Sequence, residues 1–341
     1  MRAAVFHEAG QPLTIETLPD PAPAEGEVVI AVHGAGICGS DLHVTQYPGL
    51  IQPGTVLGHE YAGTIAALGA GVSDTWTVGD RVTALPLFPC CGCEACDAQM
   101  PNLCVHGGWV GASPERPGAF AQYVVGRAAL LQPVPTGVGE VEAAMIEPLA
   151  VGHHTVSRGA IRAGEAVLIL GGGPIGAAAA LFARAAGASH VVVSEPAPAR
   201  RDRCCDLGAT ATIDPSAEDV ATRFAALTGS RPHVVFECVG IPGMLHHAVE
   251  LVGLRGRVVV AGVLFEEDRL PPLIAFAKEV TITYSQAYTE RDFAAVIDAL
   301  ARHEIDAAPL HTRTVGFADL PTAFEALRSN PRECKVLIDP R

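Results

Sequence analysis

Along the first ~145 residues, short apolar runs alternate with polar positions and stop at glycine or proline: EVVIAVHGAGI, EYAGTIAALG, DRVTALPLF, AQYVVG. Short, regularly punctuated runs of this kind predict a barrel-like or sandwich-like β domain. The texture changes after Pro148. AVLIL (166–170) is a compact apolar run ending in glycines, and the helical stretch PIGAAAALFARAAGA follows it. The alternation then repeats through HVVVSE, ARRDRCCDLGA, TATID, DVATRFAALTG, HVVFECVG, GMLHHAVELVG and GRVVVAGV. Strand and helix alternating at this spacing predict βαβ units on a parallel sheet with right-handed crossovers. From about Tyr288 the pattern becomes an amphipathic helix, RDFAAVIDALARHEI, and a short closing segment. There is no internal repeat, low-complexity tract or long linker.

Composition narrows the class. A chain of 341 residues, 49% hydrophobic and with 36 glycines, is long enough for two closely packed α/β domains. The net charge of −14 argues against a nucleic acid or an anionic membrane as partner, since both favour a basic face. MRAAVFHEAG lacks the charged start and apolar core of an export signal. The longest uncharged run, 166–183, is broken by GGGP and reads as a buried strand–turn–helix rather than a membrane span. A cytoplasmic protein is expected, and reduced thiols clustered in that compartment point to metal rather than disulfides.

Gly171, Gly173, Pro174, Ile175 and Gly176 form GxGPIG directly after AVLIL and at the start of a helix. With an acidic residue, Glu195, ending the next apolar run, this is the context of a dinucleotide-binding turn. Glycines let backbone N–H groups approach a pyrophosphate at the positive helix end. Glu195 can accept hydrogen bonds from the adenosine ribose hydroxyls and would repel a 2′-phosphate, which favours NAD over NADP. Arg200 and Arg201 pull the other way, since arginine can hold a 2′-phosphate. The plainer alternative is that the glycines only permit close strand–helix packing.

Two groups of residues could hold metal. Cys90, Cys93, Cys96 and Cys104, spaced C-x2-C-x2-C-x7-C, supply four thiolates. That set fills a tetrahedral zinc shell and leaves no position for substrate, the mark of a closed structural site; Cys91 is left over. A more reactive set is spread along ICGSDLH, GHEYAG and MIEPLAVGHH: Cys38, His59, Glu60 and Glu147. Thiolate, imidazole and carboxylate can hold zinc with a fourth position open. Taken singly, each is equally an ordinary buried cysteine, loop histidine or acid. Cys204, Cys205, Cys238 and Cys334 read as ordinary core thiols.

Taken together and in this order, ICGSDLH, GHExxG, the four-cysteine lobe, EPLAV, GGGPIG and SEPxxxRR resemble the zinc-dependent medium-chain dehydrogenases from end to end. The likeness is closest to the branch of (R,R)-butanediol and sorbitol-type polyol dehydrogenases. The resemblance implies a GroES-like β-barrel catalytic domain (1–147, with a structural zinc lobe at about 88–106), a doubly wound Rossmann domain (148–286), and a C-terminal segment (287–341) completing the first. It implies two zinc ions per subunit, one catalytic and one structural, and an active site in the cleft between the domains. Cys38 and His59 would bind the catalytic ion together with Glu60 or Glu147. Ser40 and His43 would relay a proton outward, and Tyr288 would either line the substrate pocket or pack. The implied assembly is a homodimer or homotetramer.

The activity this implies is interconversion of a secondary alcohol, vicinal diol or polyol with its ketone, on the model of butane-2,3-diol and acetoin. L-threonine 3-dehydrogenase and sugar-alcohol dehydrogenase activities share the motif spacing. Two readings compete with it: a zinc-ribbon binding protein, disfavoured by the acidic charge, and a zinc-free reductase, disfavoured by the Cys38, His59 and Glu147 set.

Overall fold

The computed structural model of the protein describes residues 1–330 and 332–341, and the chain divides into two compact units. The first unit comprises Met1–Glu147, Thr289–Glu304 and His311–Arg341; the second comprises Pro148–Tyr288 and Ile305–Leu310.

The first unit is built on short strands: β1 (Arg2–Phe6), β2 (Thr14–Thr17), β3 (Glu27–Gly36), β4 (Thr55–Val56), β5 (Glu60–Leu68), β6 (Arg81–Ala84), β7 (Leu87–Phe88), β8 (Gly108–Trp109), β9 (Tyr123–Arg127) and β10 (Leu131–Pro133). The two longest, β3 and β5, pair antiparallel with register shifts at Val29/Ile30 and Val32/Gly34. Such irregularities bend a strand and increase its twist, which lets a sheet curl around its own core. That core holds Ile30, Val32, Tyr61, Ile65, Val82, Phe120 and Val124. Helices α1 (Gly39–Val44), α2 (Glu94–Asp97) and α3 (Glu140–Ala144) fill the connections, and α4 (Ile146–Gly159) continues into the second unit.

The second unit alternates strand and helix: β11 (Ala166–Leu170), α5 (Pro174–Ala185), β12 (His190–Ser194), α6 (Pro198–Asp206), β13 (Ala211–Ile213), α7 (Val220–Thr228), β14 (Val234–Glu237), α8 (Met244–Leu251), β15 (Arg257–Val260), α9 (Pro272–Lys278) and β16 (Thr281–Tyr284). Every pairing is parallel, in the order β13-β12-β11-β14-β15-β16. This is the 3-2-1-4-5-6 order of a doubly wound dinucleotide-binding sheet, whose strand order reverses between β11 and β14. All five residues of β11 are buried, as helices covering both faces require.

The tail holds more structure than its sequence pattern suggests. Thr289 and Asp292 form a reciprocal capping box that starts α10 (Glu290–Ala301). β17 (His311–Val315), α11 (Leu320–Ala326) and β18 (Lys335–Ile338) then return to the first unit. β18 runs parallel to β17 and antiparallel to β3, with Leu337 opposite Gly36. The seven-stranded sheet therefore reads β10-β6-β5-β3-β18-β17, with β9 also on β3. No helix among the described residues is long and apolar enough to cross a membrane.

Candidate functional site

β3 ends at Gly36 and β5 begins at Glu60, so the antiparallel pair brings residues just after one strand beside the start of the other. There Cys38, His59 and Glu60 each offer a ligand atom within 4.8 Å of the others. Asp41, in the first turn of α1, braces the group: its Oδ2 accepts the Cys38 N–H at 3.0 Å, and its Oδ1 lies 3.5 Å from His59 Nδ1. A carboxylate on one ring nitrogen fixes the imidazole and leaves Nε2 to face the ligand set. Burial alone would pull the His59 pKa down, but the Asp41 charge and hydrogen bond, with Cys38, outweigh it and hold it well above its usual value.

Glu60 is fully buried and sits between two partners of different kind. Its Oε1 accepts from the ammonium of Lys335, the first residue of β18, which also donates to the Ile37 carbonyl at 3.1 Å. Its Oε2 is buried without a hydrogen bond. A buried carboxylate oxygen left bare costs free energy unless something is meant to meet it. A cation held with Cys38 and His59 would meet it, so the donor set fits zinc. Any side chain at Gly36 would collide with that oxygen, so the strand carries glycine where the carboxylate must pass. Lys335 keeps its proton: burial opposes the charge, but Glu60, then Cys38 and Glu147, raise its pKa above the ordinary lysine value. Glu147, buried in the first turn of α4, thus acts electrostatically on Lys335, while its carboxylate stays outside the three-residue group.

Ser40 and His43 both lie on α1, one turn apart; Ser40 is exposed, and the half-buried His43 ring stands 5.0 Å from that of Tyr47. Tyr288 is completely buried.

The four-cysteine lobe is formed by α2 and the turns around it, above the β7–β8 pair. Sγ separations are 3.6 Å for Cys93–Cys96, 3.7 Å for Cys93–Cys104 and 4.0 Å for Cys90–Cys96. Tetrahedral zinc with Zn–S bonds of about 2.3 Å sets its thiolates about 3.8 Å apart, so the lobe is already shaped for the ion. The Cys104 thiol accepts the Cys90 N–H at 3.3 Å, and this bond leads the effects that lower its pKa, while the pKa values of Cys90 and Cys96 in the same cluster are raised. Cys91 stands apart, its φ at 57° and its thiol 3.6 Å from the Pro89 carbonyl.

In the second unit, Gly171, Gly173, Pro174, Ile175 and Gly176 turn the chain from β11 into α5, with Gly173 as N-cap and Pro174 in the first turn. Gly176 packs against the Gly171 carbonyl, where a Cβ has no room. Glu195 follows β12 and is buried. Its Oε2 accepts the Gly172 N–H at 2.8 Å and its Oε1 the Ala197 N–H at 2.9 Å, so the acid is fixed at the edge of the glycine turn. Arg201 is committed elsewhere, donating to the Glu195 and Pro196 carbonyls and pairing with Asp214 at 3.1 Å. Arg200 is half-buried, and its Nε has no hydrogen-bond partner.

Sequence reasoning missed Lys335 and gave no role to Asp41. One reading needs correction: Cys205 is exposed on α6 and is not a core thiol, because its neighbour Cys204 takes the inward face. Cys204 and Cys334 are buried and Cys238 half-buried.

Comparison with known proteins agrees with these two halves. The family description "Alcohol dehydrogenase GroES-like domain" matches residues 24–136, and "Zinc-binding dehydrogenase" matches residues 174–302. The chain is 35% identical over 327 residues to a 2-dehydro-3-deoxy-L-galactonate 5-dehydrogenase of Pseudoalteromonas atlantica, covering 93% of each. It is 34% identical to a sorbitol dehydrogenase of Bacillus subtilis, covering 100% of this chain and 97% of that one. Among solved structures, 2R,3R-butanediol dehydrogenase from Bacillus subtilis superposes with a TM-score of 0.90 at 30% identity over 100% of this chain and 99% of that one. A zinc-binding dehydrogenase homologue from Sinorhizobium meliloti, solved bound to NADP, gives 0.91 at 31% over 99% of each. The chain belongs to the zinc-binding, medium-chain dehydrogenase family of alcohol and polyol dehydrogenases.

Proposed function

We propose that the protein oxidises a secondary carbinol of a polyol or sugar acid to the ketone, reversibly, with NAD as hydride acceptor and with zinc in both the Cys38 site and the four-cysteine lobe. The observation that carries this reading is the bare, buried Oε2 of Glu60 beside Cys38 and His59. The relatives named for sorbitol and for a deoxy-galactonate favour a polyhydroxylated chain over a simple alcohol. A short diol such as butane-2,3-diol remains a second reading, supported by the likeness to the butanediol enzyme.

What the metal supplies when bound is Lewis acidity, which lets an alcohol hydroxyl ionise near neutral pH. What NAD supplies is a hydride acceptor. Cys38, His59 and Glu60 would hold the ion, and Lys335 ties down Glu60 Oε1 so that Oε2 alone is presented. Asp41 keeps the His59 ring from turning. Ser40 Oγ would receive the carbinol proton as it gives up its own, and His43, one helical turn further along, would pass a proton to solvent. The fixed carboxylate of Glu195 retains lone pairs for ribose hydroxyls and disfavours a 2′-phosphate. With Arg201 already committed, only Arg200 of that pair is left to meet a phosphate, and the balance favours NAD.

The test is NAD reduction by the zinc-loaded protein across sorbitol and other sugar alcohols, sugar acids, butane-2,3-diol and L-threonine. Turnover of a polyol or sugar acid is expected. Turnover of none of these, or of threonine alone, would overturn the reading.

A further inference from the structure

Glu237, the last residue of β14, is buried, and neither the catalytic chemistry nor the glycine turn uses it. Its carboxylate is held by backbone: Oε1 accepts the N–H of Val239 at 2.6 Å and of Gly240 at 2.9 Å. Its main-chain carbonyl accepts two more, from Ala261 at 2.8 Å and Gly262 at 2.9 Å, just past the end of β15. One residue therefore knits the turn after β14 to the turn after β15.

The two turns touch so closely that side chains are excluded. A Cβ at Gly240 would come within 2.7 Å of the Val263 carbonyl, and one at Gly262 within 2.7 Å of Glu237 Oε2 while colliding with the Gly240 amide. The turn after β14 also abuts the glycine turn, since a Cβ at Gly171 would lie 2.8 Å from the Val239 side chain. Val239 and Ile241, which follow the clamped carboxylate, remain exposed.

Position in the sheet gives this clamp a purpose. Ligands of doubly wound sheets lie outside the carboxyl ends of the strands, across the point where strand order reverses. Glu195 marks the β12 side for the adenosine ribose, and the glycine turn after β11 marks the pyrophosphate. The ends of β14 and β15 are what is left for the nicotinamide half.

We propose that Glu237 is a positioning residue for the nicotinamide half of the dinucleotide: it holds the turns at 238–240 and 261–262 as one rigid floor, continuous with the glycine turn. This rests on the dinucleotide reading above. Burying a carboxylate is tolerable where backbone N–H groups meet it, as those of Val239 and Gly240 do here, and the turns so fixed offer a surface that need not be ordered anew at each binding event.

The test compares binding of NADH, by its fluorescence, with binding of ADP, which spans only the adenosine side. Glu237→Ala should weaken NADH at least about tenfold and ADP less than about twofold. Glu237→Gln, whose amide oxygen can accept the same two N–H groups, should recover most of the loss. Gly262→Ala, whose added methyl crowds both the Gly240 amide and Glu237 Oε2, pushes the two turns apart with the carboxylate retained and should reproduce the Glu237→Ala split even if that variant folds poorly. Equal loss of ADP and NADH, or unchanged NADH binding in both variants, would overturn the proposal. Failure of the unmutated protein to bind NADH would instead remove the dinucleotide reading itself.

Discussion

The ammonium of Lys335 and the carboxylate of Glu60 form a completely buried ion pair across 275 residues of chain, joining β18 to the start of β5. The pair does two things at once. It ties the C-terminal strand into the first unit, and it leaves one Glu60 oxygen to face Cys38 and His59.

Removing one partner should therefore be costly. Lys335→Met leaves Glu60 buried without its cation, an effect of about 3–5 kcal/mol. A clear drop in melting temperature of the zinc-free protein is expected, with part of it restored by Glu60→Gln in the same chain. Equal melting of Lys335→Met and the unmutated protein would show that the pair adds nothing.

The four-cysteine lobe predicts a different phenotype. Cys93→Ser and Cys104→Ser should each lose the lobe's zinc and melt earlier, because the ion closes a loop that has little core of its own. Cys91→Ser should keep both zinc and stability, since its thiol points to the Pro89 carbonyl. Metal analysis alongside thermal melts separates the cases. A Cys104→Ser protein that stayed fully stable but inactive would contradict a structural role.

Cofactor choice is expected to rest on Glu195. Glu195→Ala removes the ribose acceptor together with the bond to the Gly172 N–H. The KM for NAD should rise about tenfold or more, and discrimination against NADP should shrink. Steady-state kinetics with both cofactors checks this; an unchanged preference would point to another determinant.

One pH effect belongs to the second unit. Burial disfavours ionised Glu165, but the Arg162 N–H at 2.8 Å and the Arg257 guanidinium outweigh it and hold its pKa below the usual carboxylate value. A carboxylate depressed by folding contributes stability above its unfolded pKa of about 4.3 and loses it as pH falls through the lower folded value. Glu165→Gln should thus cost about 1.5–3 kcal/mol at pH 7. The gap should begin to narrow below about pH 4.3 and close as pH falls through the lower folded value. Melting curves against pH would reveal a gap that instead widened in acid.

What could be read in the sequence was what is local. AVLIL and the glycines after it share one short stretch, and the lobe's four ligands fall within Cys90–Cys104, so spacing alone suggested both. The unread parts depend on distant contacts. Lys335 opens an apolar strand, KVLI, and only its pairing beside β3 turns it toward Glu60. Asp41 stood in plain view in ICGSDLH, but its bond to His59 depends on where β5 begins. The tail after α10 read as a short closing segment because β17 and β18 gain their meaning from the sheet they complete.

The most direct measurement is zinc per chain in the unmutated protein and in Cys38→Ser, with NADH formation followed on the same samples. The account predicts an ion for each of the two ligand groups in the first and loss of one in the second, with fold retained and turnover abolished. A Cys38→Ser protein that kept its full zinc complement, or that still reduced NAD at the normal rate, would contradict it.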